Sequence, residues 1–82
     1  MNLERARRMA ELAQAEQQAE MLGLQGEALI TEIRMVLDPL LVSDFVDQDV
    51  PKAAKLMGEL ATMWHKAKAA GERISRLREA LG

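Results

Sequence analysis

An all-α fold, an antiparallel hairpin of two long helices joined by a short apolar connector, is what three features of this 82-residue sequence predict. Apolar and small residues recur at alternating steps of three and four on both sides of a central break. The break itself is marked by two prolines, Pro39 and Pro51, only twelve positions apart. The apolar 49% comes from Ala, Leu, Met and Val, with Trp64 and Phe45 as the only aromatics, a usage that favours helix over strand.

The first helix is expected from about Leu3 to Leu37. Its stripe runs through Leu12, Ala15, Ala19, Leu22, Gly26, Leu29, Ile33, Val36 and Leu40 without a slip in phase. Gly23 and Gly26 each cost about 1 kcal/mol against alanine in a helix. A turn there would reset the phase, so the unbroken stripe favours one continuous helix over a three-helix chain broken near Gly23 to Gly26.

Asp38-Pro39 ends that helix, because the residue before proline is pushed out of helical geometry. The connector, residues 38–50, is unusual in being apolar, with Leu40, Leu41, Val42, Phe45, Val46 and Val50. Asp38 can cap a short helical turn from Pro39 through Val46. Leu40, Leu41 and Phe45 would then form an apolar lid under the helix ends, with Asp44 and Asp47 facing water.

Asp49 is the expected cap of the last helix, from about Val50 to Leu81, with Pro51 in its first turn. The stripe assigned to it is Ala53, Met57, Leu60, Trp64, Ala67, Gly71 and Ile74, with Leu56, Met63, Ala70 and Leu77 as an apolar flank. The connection sets a register in which facing residue numbers sum to roughly 89. Gly26 then faces Trp64, so Gly26→Leu is expected to overpack that layer, and Ala15 and Ala19 face Ile74, Ala70 and Gly71 in a small-residue seam.

The whole chain forms one helical domain by this reading, near the size at which a single core needs help from partners. Two helices cannot bury stripes this wide. A homodimer forming a four-helix bundle is the economical solution. Its interaction residues would be Leu40, Leu41, Phe45, Leu56, Met63, Trp64 and Leu77, with another protein as a further candidate partner.

Charge is asymmetric. Arg5, Arg7, Arg8, Lys66, Lys68, Arg73, Arg76 and Arg78, set against Glu4, Glu72 and Glu79, make the open end of the hairpin about +5, while the net charge is −2. Helix-dipole compensation and a solvated face account for most of this. A docking end for nucleic acid, built on Arg5, Arg7, Arg8, Arg73, Arg76 and Arg78, is the rival reading. The overall acidity and the lack of interleaved aromatics disfavour it.

Catalysis is not expected. His65 is the single histidine and lies beside the stripe; Ser43 and Ser75 have no nearby base; there is no cysteine. Asp44, Asp47 and Asp49 lack the glycine and the terminal glutamate of a calcium loop. No cofactor or metal is implied. The amino-terminal segment is broken by Glu11, Glu16 and Glu20 before any apolar run of leader length, so a soluble cytoplasmic protein without membrane contact is expected. The function that remains is a small non-catalytic interaction or assembly module, an adaptor or accessory subunit.

Overall fold

The structure, a computed structural model, describes residues 2–37 and 44–82. The described residues form two helices, α1 (Leu3–Val36) and α2 (Val50–Leu81), with a 3-10 turn at Phe45–Asp47 between them. The two helices pack antiparallel into a rod of 66 × 15 × 14 Å. At the open end the Arg5 guanidinium donates to the Leu81 carbonyl at 3.0 Å, tying the start of α1 to the end of α2.

Both helices begin on the residues that local chemistry selects. The Asn2 side chain accepts from the backbone N–H groups of Glu4 and Arg5, and that of Asp49 accepts from Lys52 N at 3.1 Å. Pro51 sits in the first turn of α2, where its missing N–H has no helical partner to lose. Leu37, where the first helix was expected to end, is extended and stands as the C-cap one residue beyond Val36; its N–H still donates to the Ile33 carbonyl. α1 runs unbroken through Gly23 and Gly26.

The connector differs from expectation where it is described. Asp44 is extended, with φ −61° and ψ 157°, so the turn starts at Phe45 and does not run on continuously from the residues before it. Phe45 is 79% exposed and Val46 is exposed as well, so neither is tucked under the helix ends. Asp38, Pro39, Leu40, Leu41 and Val42, to which the cap and most of the lid were assigned, lie outside the described residues.

On α1 the covered positions from Leu12 onward are Leu12, Ala15, Ala19, Leu22, Gly26, Leu29, Ile33 and Val36, the stripe read from the sequence. On α2 they are Ala53, Leu56, Leu60, Met63, Ala67, Ala70, Ile74, Leu77 and Leu81. Spacings of three and four alternate along both, which is the seam of an antiparallel coiled coil. The phase of α2 is therefore corrected. Ala53, Leu60, Ala67 and Ile74 are shared with the expected stripe, but Leu56, Met63, Ala70 and Leu77 fill the other half of the seam, and Met57, Trp64 and Gly71 lie outside it.

This seam is thin. Ala15 is 1% exposed and Leu56 6%, and among the described residues no side chain larger than alanine is fully enclosed. The glycines are not packing devices within the chain: a Cβ added at Gly23, Gly26 or Gly58 would meet nothing within 4 Å. The overpacking expected for Gly26 against Trp64 is thus absent from the single hairpin. Gly58 lies on the solvent face of α2, so Gly58→Ala should raise stability by about 1 kcal/mol through helix propensity alone. Thermal melting by circular dichroism checks this; a lower midpoint would mean that the Gly58 backbone serves some closer contact.

Candidate interaction face

The seam leaves one row of each helix on either side of it, and the two sides differ in chemistry. In an antiparallel pair, the rows one position after the second seam residue of each heptad come together along one edge. Here that edge carries Gly23, Ile30 and Leu37 from α1 and Val50, Met57, Trp64 and Gly71 from α2. The opposite edge carries Glu11, Gln18, Gln25 and Glu32 from α1 and Lys52, Glu59, Lys66 and Arg73 from α2. Side-chain placement agrees with this division. Glu32 and Lys52 border one depression and Gln18, Lys66 and Arg73 another, both on the polar edge.

The apolar edge contains a groove of about 280 Å³. Gly23, Gly26, Glu27 and Ile30 form one wall, and Leu60, Met63 and Trp64 form the other. The groove exists because two positions without side chains stand where the seam would otherwise be covered. Trp64 borders it but does not fill it, being 56% exposed. Its ring is held from the other sides: Lys68 Nζ lies 5.0 Å from the ring centre, and His65 meets it edge-on, also at 5.0 Å. A cation over an indole face holds the ring in place without hiding its remaining surface.

Val50, Met57, Ile30 and Leu37 are all exposed along the same edge. Toward the open end the row changes character. Glu16 and Arg78 face each other across it at 3.6 Å and close the apolar stretch. From Gly23 to Leu37 the row itself is uncharged, over about 21 Å at 1.5 Å per residue, with Glu27 beside it on the groove wall.

Of the interaction residues expected from the sequence, Trp64 and Phe45 are exposed and accessible. Leu56, Met63 and Leu77 are not an exposed flank: they lie in the seam, Leu56 buried and the other two half-buried. Leu40 and Leu41 fall outside the described residues. Ile30, Met57 and Gly23 were missed as surface residues, though each sits one position beyond a seam residue, the signal that could have found them.

The basic end is partly self-engaged. Arg8 pairs with Glu4 at 3.0 Å, Arg78 with Glu16, and Arg5 with the Leu81 carbonyl, while Arg7, Arg73 and Arg76 are exposed. Among the described residues, no group of His, Asp or Glu side chains is arranged to hold a metal ion, and no helix is long and apolar enough to cross a membrane. Comparison with protein-family models, with curated proteins and with solved structures gives no match.

Proposed function

We propose that this chain is a non-catalytic helical assembly module that associates with a second copy of itself into a four-helix bundle. The observation that carries this reading is the uncharged edge from Gly23 to Leu37 and Val50 to Gly71, beside a seam too thin to serve as a core by itself. A contiguous apolar patch rimmed by polar residues marks a protein interaction site. The polar edge opposite supplies the solvated side such a bundle needs.

The polar side chains with chemical potential have structural roles that fit the same reading. Asp49 caps α2, and His65 packs edge-on against Trp64. Arg5, Arg8 and Arg78 are engaged within the chain, which weighs against a phosphate-binding end.

Sedimentation velocity at micromolar concentration is expected to give a dimer that dissociates on dilution. In parallel, fluorescent DNA and RNA titrated at low and moderate salt should show no binding below the micromolar range. A monomer at all concentrations would overturn the assembly reading. Tight nucleic-acid binding that weakens steeply with salt, as counterions are released, would move the function to the basic end.

A further inference from the structure

We propose that the second copy seats on the apolar edge with the two-fold axis parallel to the hairpin, so that Trp64 of each chain enters the Gly23–Gly26 notch of the other. This rests on the self-association reading and adds to it the face, the direction and the knob.

Area sets the requirement. A compact monomer of 9.1 kDa exposes about 4,900 Å² by the scaling of folded proteins. This hairpin exposes 6544 Å². The excess, roughly 1,600 Å², is more than the roughly 800 Å² that each partner contributes to a standard interface. The edge with the fewest charges is where that area is most readily given up.

Height along the rod decides the direction. Leu22, Gly26, Met63 and Ala67 all border the same groove, so residues at one height have numbers that sum to about 89. An axis parallel to the rod preserves height and sets α1 of one copy over α2 of the other. Trp64 then falls between the heights of the partner's Gly23 and Gly26, Met57 near the partner's Ile30, and Val50 near the partner's Leu37. The largest exposed apolar side chain meets the two positions with no side chain, and facing layers fill without voids.

Charge favours the same choice. The row outside the apolar edge carries Glu20, Glu27 and Arg34 on α1, and Ala54, Ala61, Lys68 and Ser75 on α2. With the parallel axis, Glu20 stands at the height of the partner's Lys68, Glu27 meets Ala61, and Arg34 meets Ala54. A perpendicular axis in the interface would set α1 on α1 and α2 on α2, which separates Glu20 from the partner's Lys68 and carries Trp64 away from the glycines.

Two variants test the seating. In the single hairpin a side chain at Gly23 has open space, so Gly23→Leu should keep or raise the helical signal by circular dichroism while weakening the dimer at least tenfold by sedimentation. The chain contains no cysteine, so Glu20→Cys mixed with Lys68→Cys under mild oxidation reports one pair of positions. Disulfide-linked dimers are expected from the mixture and not from either variant alone. A monomeric wild-type chain would sink self-association itself and this inference with it. A wild-type dimer in which either single-cysteine variant links to itself, or in which Gly23→Leu associates as the wild type does, would leave self-association standing and overturn the seating.

Discussion

Leu56→Ala is expected to cost the hairpin about 2–4 kcal/mol, the range for removing a leucine from a packed site that cannot fully collapse. Among the described residues Leu56 is the largest side chain buried below a tenth of its surface, so little around it can move in to replace the lost contacts. The effect is large relative to the whole, because a chain of this length has a total stability of about 4–12 kcal/mol. The informative control is Trp64→Ala, which removes more atoms from a position that is mostly exposed. In dilute solution, below the association range, it should cost the hairpin less than about 1 kcal/mol. Urea melts of the two variants followed by circular dichroism therefore report the phase of α2 directly. If Trp64→Ala were the more damaging of the two, Met57, Trp64 and Gly71 would be the seam after all.

The double substitution Ile30→Glu with Met57→Glu should abolish association while leaving the hairpin folded. Both side chains are exposed in the single chain, so glutamate there costs no burial and remains a good helix former. In the proposed dimer the same two positions face each other across copies, bringing four carboxylates into the apolar centre of the interface. Burying unpaired charge costs several kcal/mol per group, and even partial relief by water leaves a penalty of about 3 kcal/mol or more, over a hundredfold in dissociation constant. Sedimentation should show a monomer at concentrations where the wild type is dimeric, with an unchanged helical spectrum. Persistence of the dimer would mean that another surface, such as the exposed Phe45 and Val46 of the connector, carries the contact.

The comparison of the two helices shows what is local and what is not. α1 has one continuous row of apolar and small residues, since the row beside it is interrupted by Glu16, and its seam is legible from the amino acids alone. α2 has two candidates. The row Ala53, Leu60, Ala67 and Ile74 belongs to either, and it can be completed by Leu56, Met63, Ala70 and Leu77 or by Met57, Trp64 and Gly71. These alternatives differ by one residue, about 100° around a helix, so periodicity supports both. The large indole drew the choice toward the second. Followed further, however, the second row reaches Arg78, whereas the first stays apolar through Leu77 and leaves Arg78 at the edge to pair with Glu16. Burying an arginine in a thin seam would cost more than exposing a tryptophan.

What the amino acids by themselves determined is everything set within a few residues: the all-helical character, the cap at Asp49, the stop before Pro39, the continuity of α1 through two glycines, and the start of α2 at Val50. Capping, proline geometry and helical period act over one or two turns, so the signals lie next to the structures they cause. Only the tertiary structure decided which side of α2 faces α1, and with it which residues remain outside. That choice compares two complete packings of one helix against another, in which the gain at Leu56 is weighed against the exposure of Trp64 and the placement of Arg78 far along the chain. Because the proposed interaction edge is what that packing leaves over, Gly23, Ile30 and Met57 could be placed on it only once the seam between the helices was known, whereas Trp64 was already among the residues expected there.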